Sequence, residues 1–211
     1  MSKRVVIIGG NGHARVIIDM LQDNPGFKVA GFTSPDQEAK EMGLPDCPRL
    51  GSDDDLPKIL AQGIEYAFVA IGDNRIRRKC AAMVERLGFS TLNAASAHSV
   101  ISSFAKLGKL VAVMPGAIIN VGSEIGDGVI VNTNATIDHD CRIGAFAHVA
   151  PGVALAGNVT IGDEAFIGIG ARVIPGIKIG ARTIVGAGAV VIRDLPDGVV
   201  AVGVPATIRK D

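Results

Sequence analysis

Residues 132–141, NTNATIDHDC, set one imidazole between two carboxylates: Asp138, His139 and Asp140, with Asn132 seven positions upstream of the histidine. A histidine on an exposed turn is ordinarily inert. A carboxylate beside it fixes the tautomer and raises the basicity of the ring, which is what removing a proton from an attacking amine or hydroxyl requires. Asp138 and Asp140 both have the spacing to be that partner, and Asn132 adds a further polar support. His148 follows nine residues after His139.

A second polar cluster lies near the N-terminus. In IIGGNGHAR, residues 7–15, Gly10, Asn11, Gly12 and His13 leave an apolar run and enter an amphipathic one. A strand that turns tightly into a helix aims free N–H groups at an anion. Arg15 stands where a dinucleotide fingerprint would place its last glycine, so a diphosphate, or a merely structural turn, is expected here rather than NAD. Asp73 and Asn74, in GDN after another apolar run, should fall on the carboxyl edge of the same sheet, although Asn74 also reads as a helix N-cap.

Two textures position these residues. Residues 1–95 alternate strand and helix patterns: RVVIIGG, KVAGFT and EYAFVAIG as strands, GHARVIIDMLQD and DNRIRRKCAAMVERLG as helices. In the last of these, Ile76, Cys80, Val84 and Leu87 share a stripe and Gly88 stops the helix. The polar, proline-punctuated tract between the second and third strands reads as loop with a short helix. A small Rossmann-like α/β domain is expected.

Residues 96–211 follow another rule. Every sixth residue from Ile101 to Val191 is aliphatic, sixteen in succession, and four places after each comes a mostly small residue such as Ala135, Cys141 or Ala147. A strand repeats at two and a helix at 3.6, so an unbroken period of six fits neither; it fits a parallel β-helix with three short faces per coil. If a coil has 18 residues, His139 and His148 lie half a coil apart and point to opposite sides. One chain then cannot join them, whereas a second copy of the chain can. Cys141 falls on the inward corner and reads as core rather than nucleophile.

Composition narrows the setting. Among 211 residues the formal net charge is zero, which leaves no electrostatic footprint for nucleic acid or an anionic membrane. Three scattered cysteines argue against a disulfide framework and for a reducing cytoplasm. No apolar run is long enough to span a bilayer.

The hexads IGDGVI, IGAFAH, IGDEAF and IGARTI resemble those of the hexapeptide-repeat acyltransferases, which fold as left-handed parallel β-helices and act as homotrimers. Together with IIGGNGHARVIIDML, VAIGDNRIRRK and the later HDC, AHVAPG, LAGN and VGVPA, the chain is similar to the nucleotide-linked aminosugar N-acetyltransferases of bacterial glycan pathways, near the sialic acid O-acetyltransferases. That resemblance implies acetyl-CoA as co-substrate, no metal, and transfer of acetyl to the 4-amino group of a 4-amino-4,6-dideoxy sugar, UDP-linked ahead of GDP-linked perosamine. It implies His139 as base, supported by Asp140 and Asn132. His148 would contact the thioester carbonyl, and main-chain groups of Gly157, Ile169 and Ala187 the acyl carrier. Relatives carry an acid near the end of the second strand; here Thr33 and Ser34 stand there, and Asp36 comes later. Three other readings are set beside this one: O-acetylation of sialic acid, a non-catalytic nucleotide-sugar scaffold, and a zinc lyase on the same solenoid. The last needs three histidine ligands, and His13, His98, His139 and His148 include no close pair on one edge.

Overall fold

The computed structural model describes residues 2–22, 24–35 and 47–209, and Asp36 lies outside them. The chain forms two compact units, Met1–Ala97 and His98–Asp211. No helix among the described residues is long and apolar enough to cross a membrane.

The first unit runs β1 (Lys3–Ile8), α1 (Gly12–Gln22), β2 (Phe27–Thr33), β3 (Arg49–Gly51), α2 (Leu56–Ala61), β4 (Tyr66–Val69), α3 (Asn74–Arg86) and β5 (Ser90–Thr91). The sheet is wholly parallel in the order β3-β2-β1-β4-β5. Val5, Val6, Ile7 and Ile8 are all buried, a continuous rather than alternating pattern, because a parallel strand at the centre is covered on both faces. The strand order reverses at β1, so GGNGH after β1 and GDN after β4 meet at the switch point of the sheet.

Three details differ from the sequence reading. The tract read as loop holds β3 and a 3-10 turn, Asp53–Asp55, leading into α2, whereas residues 36–46 lie outside the described structure. Asp73, not Asn74, caps α3, its carboxylate accepting from Ile76 N–H at 2.8 Å. The buried stripe of α3 is Arg77, Ala81 and Val84, while Ile76 is exposed. The helix is rotated because Arg77 is buried with its guanidinium donating to Ile71 O, Gly72 O and Asn74 Oδ1 at 3.0, 2.9 and 2.8 Å. A hydropathy pattern assigns no arginine to a core.

The second unit is a left-handed parallel β-helix. Two-residue strands stack with partners 18 residues on, as Ile118 on Thr136, Thr136 on Ala154 and Ala154 on Arg172, until the last coil, where the offset shortens to 16 and Ile184 stacks on Val200. The strands at 100–101, 118–119 and 136–137 begin a first face, those at 106–107, 124–125 and 142–143 a second, and those at 112–113, 130–131 and 148–149 a third. The inward aliphatic column from Val113 to Val191 is buried throughout. Burying each such side chain stabilises the fold by roughly 1.5–3 kcal/mol, the main driving force in a unit with few aromatics.

A second column with the same period appears only in the backbone. From Leu110 to Gly188 every sixth residue has φ between 55° and 77°, the left-handed turn that bends one face into the next. Half of these positions are not glycine, including Asn134, Asp140, Phe146 and Arg182. Where the second face bends into the third, Gly144 and Gly162 answer a different need, since a Cβ there would collide with the backbone nitrogens of Asp163 and Ala181 in the next coil.

The three faces carry different chemistry. The second points Lys106, Glu124, Arg142 and Lys178 at solvent, with Lys106 and Glu124 paired at 3.0 Å. On the third, Phe166 and Ile184 are exposed, while Ile130 and His148 are buried.

The left-handed column yields a stability test at exposed Arg182, φ 56°. Arg182→Gly should raise the urea midpoint, whereas Arg182→Val, β-branched in a left-handed turn, should cost about 1–2 kcal/mol.

Candidate functional site

His139 occupies the corner between the first and second faces, one residue before the left-handed position held by Asp140 at φ 59°. The side chain is half exposed, and its Nδ1 lies 2.9 Å from Asp140 Oδ2. With the carboxylate accepting from Nδ1–H, the lone pair is left on Nε2. Asp138 serves the backbone instead: its Oδ1 accepts from His139 N–H at 2.8 Å and from Asn120 Nδ2 at 3.0 Å. Of the two acids, Asp140 is therefore the one that meets the ring.

Charge follows this geometry. The hydrogen bond to Asp140 raises the His139 pKa above the usual imidazole value; desolvation opposes this, and the charges of Asp138 and Asp140 add to the rise. Asp138 is held below the usual carboxylate range by its bonds from Asn120 and the His139 amide.

Gly157 explains how the ring fits. It lies one coil below His139, and a Cβ there would come within 2.5 Å of both Cε1 and Nε2. Parallel coils stack about 4.8 Å apart, room for an imidazole only over a residue that has no side chain. The φ of Gly157 is not in the left-handed range, so the ring, not the backbone, requires glycine.

Asn132 does not join this group. It sits on the corner between the third and first faces, where its Oδ1 accepts from Thr133 N–H at 2.8 Å. That orients the amide so that Nδ2 faces His148 Nε2 at 3.0 Å. Nε2 is then an acceptor, and His148 is a neutral imidazole with its proton on Nδ1. The ring is buried and meets Phe166 edge to face at 5.2 Å. Ile169 and Ala187 are exposed on the corner that carries Asn132. Within one chain the solenoid residues thus form two sets: His139, Asp140 and Gly157 on one edge; Asn132, His148, Ile169 and Ala187 around another. Cys141 is buried with its thiol pKa raised by desolvation, so it belongs to the core.

In the first unit the glycines of GGNGH differ among themselves. A Cβ on Gly9 would meet Ala70 O at 2.6 Å and one on Gly10 would meet Ser34 Oγ at 2.7 Å, so both permit close packing of the loop. A Cβ on Gly12, the first residue of α1, would meet nothing within 4 Å, and its φ is not left-handed. Packing does not demand glycine there, and the helix N-terminus stays open to an approaching group. Asn11 carries the carbonyl that accepts the first helical bond, from Arg15 N–H at 3.2 Å. The pKa of His13 is lowered to about 4 by burial and by the Arg77 charge, so the ring is neutral at physiological pH. Among the described residues its buried Nε2 has no hydrogen-bond partner. Asp73 and Asn74, beside the same edge, are engaged in capping α3 and holding Arg77.

Three residues escaped the sequence reading. Asp53 supplies a carboxylate at the end of β2, accepting from Thr33 Oγ1 at 2.8 Å. Asn120 and Ser123 stand one coil above Asp138 and Cys141, and an 18-residue offset applied to the turn that carries His139 points to both. Among the described residues no group of three or more His, Cys, Asp or Glu side chains could hold a metal ion.

Comparison with known proteins adds the following. Residues 4–84 match the PglD N-terminal domain family, and residues 158–193 match the bacterial transferase hexapeptide family. The chain is similar to PerB from Caulobacter crescentus, solved with CoA and GDP-perosamine, at 51% identity and TM-score 0.92, covering 98% of this chain and 97% of that one. It is similar to the acetyltransferase domain of PglB from Neisseria gonorrhoeae, solved with acetyl coenzyme A, at 33% identity and TM-score 0.92, covering 99% and 100%. It is also similar to WeeI from Acinetobacter baumannii at 28% identity and TM-score 0.86, covering 99% and 100%.

The ring partner can be tested by NMR titration of the His139 imidazole. Asp140→Asn removes the accepting carboxylate and should lower the His139 pKa toward its ordinary value. Asp138→Asn should move it less, because that carboxylate faces the backbone amide.

Proposed function

The chain belongs to the hexapeptide-repeat nucleotide-sugar N-acetyltransferases, and from that premise we propose that its acceptor is a GDP-linked 4-amino-4,6-dideoxy sugar of the perosamine type. The protein is an acetyl-CoA-dependent aminosugar N-acetyltransferase. Half-identity over nearly the full length to an enzyme solved with CoA and GDP-perosamine supports GDP ahead of the UDP expected from sequence. The observation that carries the reading is the His139–Asp140 pair seated over Gly157 on a rigid edge of the solenoid.

The chemistry uses that pair directly. The sugar amine attacks the thioester carbonyl, an N–C bond forms, and the amine proton passes to His139 Nε2, whose other nitrogen is held by Asp140. Collapse of the tetrahedral intermediate breaks the C–S bond and releases CoA, whose sulfur takes up a proton. The Gly157 main-chain N–H, beside the ring, would serve the oxyanion. On the first unit, the open N-terminus of α1 at Asn11–Gly12, with Gly10 and neutral His13, would receive the diphosphate, and Asp73 and Asn74 would border the nucleotide. We read residues 1–95 as the nucleotide-sugar domain and 96–211 as the acetyltransferase domain.

The second set of solenoid residues needs another copy. Asn132 and His148 lie away from His139 in one chain, so His148, with its Nδ1 proton, would reach the acetyl group of a neighbour's site in a homotrimer. Ile169 and Ala187 would line the same groove for the pantetheine arm. The segregation of charge supports this: the second face is solvated, while the third turns apolar side chains outward.

Free-thiol release from acetyl-CoA should be fastest with a GDP-linked 4-amino-4,6-dideoxy sugar, slower with the UDP- and dTDP-linked forms, and absent with hydroxyl acceptors. No acceleration over water by any of these sugars would overturn the assignment. His139→Ala should lower kcat about 100-fold or more. Because the base must be neutral to act, kcat/KM should fall as pH drops through the raised His139 pKa.

A further inference from the structure

At many corners of the solenoid the turn closes on itself, although those that end at Val129 and Ile177 do not. The amide of the inward corner residue donates to the carbonyl three residues earlier, as for Ala117 to Met114, Ala135 to Asn132 and Ala171 to Gly168 at 3.1, 3.0 and 3.1 Å. At the corner that carries His139 a side chain takes the place of this bond. Ser123, fully buried one coil above, donates from Oγ to Asp138 O at 2.8 Å and accepts from Cys141 N–H at 3.2 Å. A hydroxyl is thereby inserted between the two ends of the turn.

The rest of that turn is held as firmly. His139 N–H donates to Asp138 Oδ1, which Asn120 fixes from the coil above; His139 O accepts from Asn158 N–H at 2.9 Å; Asp140 N–H donates to Val121 O at 3.0 Å. Apart from Ser123 and Thr183 the column is filled by apolar residues and Cys141, and a serine there has no packing advantage over alanine. Thr183 is the other buried hydroxyl in this column, donating to Pro196 O at 2.6 Å on a different corner. It provides a matched comparison.

We propose that Ser123, seconded by Asn120, is a positioning residue: its inserted hydroxyl holds the 138–141 turn open and so sets the direction in which His139 presents Nε2. Without the hydroxyl the Asp138 carbonyl and the Cys141 amide would lose the bridge between them, freeing the peptide that carries the ring to rotate. This rests on His139 being the base. A displacement of even 1 Å can lower a rate on the order of 100-fold while binding contacts elsewhere persist.

The test compares four variants of the full-length protein in the thiol-release assay. Ser123→Ala should lower kcat on the order of 10- to 100-fold. The KM values for both substrates should stay within about two-fold, because the residue touches neither ligand in this reading. The acid limb of the kcat profile should shift to lower pH as the ring loses Asp140. Ser123→Thr, which keeps the hydroxyl, should recover most of the rate. Thr183→Ala deletes an equally buried hydroxyl from another corner, and its kcat should match that of the unaltered protein. Asn120→Ala, at an exposed site, should change kcat in the same direction as Ser123→Ala and stands in if that variant does not fold. Equal kcat for Ser123→Ala and Thr183→Ala would overturn the inference. If His139→Ala itself turned over normally, the base assignment would fail, an outcome distinct from failure of the positioning role.

Discussion

The hydrogen bonds between successive coils of the solenoid are the constraint on which the rest depends. Each coil satisfies its backbone on the one above and the one below, so no coil slips without leaving polar groups unpaired, and the 18-residue register is maintained up to the last coil, which is two residues shorter. An unpaired buried amide costs about 1–3 kcal/mol, so a slip of one coil would be opposed many times over. That rigidity gives a place on the surface whose geometry is set by residues one coil away in either direction.

The His139 corner uses this scaffold from both sides. Below, Gly157 leaves the space that the imidazole fills. Above, Asn120 and Ser123 hold the peptide that carries it. The left-handed conformation of Asp140 brings its carboxylate back to the ring rather than away from it. A neutral imidazole with a carboxylate on Nδ1 and an outward Nε2 is what accepting a proton from an amine needs, and it stands on an edge where polar side chains cost the core nothing. Asn132 and His148 show the same logic elsewhere. A backbone amide orients the asparagine, the asparagine assigns the histidine's tautomer, and the pair serves a different edge from that of His139.

The α/β unit works by another principle. Its sheet order reverses at β1, which gathers the loops after β1 and β4, and a buried arginine rather than an apolar residue anchors the loop after β4. Gly9 and Gly10 let the first loop lie close against its neighbours, while Gly12 keeps the start of α1 unobstructed. These glycines look alike in the sequence and do different things.

Much of this was legible in the sequence because periodicity is a one-dimensional property. The six-residue aliphatic column, the small corner residues and the αβ alternation each follow from which side chains must be buried at regular intervals, and they determined the solenoid, the two textures and the outward place of His139. What the tertiary structure decided concerns neighbours distant along the chain or angles that hydropathy does not encode. It chose Asp140 over Asp138 as the ring's partner, because the left-handed φ turns one carboxylate back while the other caps an amide. It moved Asn132 to His148, because seven residues is more than one hexad and therefore another corner. It rotated α3 onto Arg77 and passed the cap to Asp73, because carbonyls of the preceding loop satisfy the guanidinium. It drew Ser123 and Gly157 to the His139 turn from opposite sides, since vertical contact in a stacked coil joins residues 15 to 18 places apart that no local pattern connects.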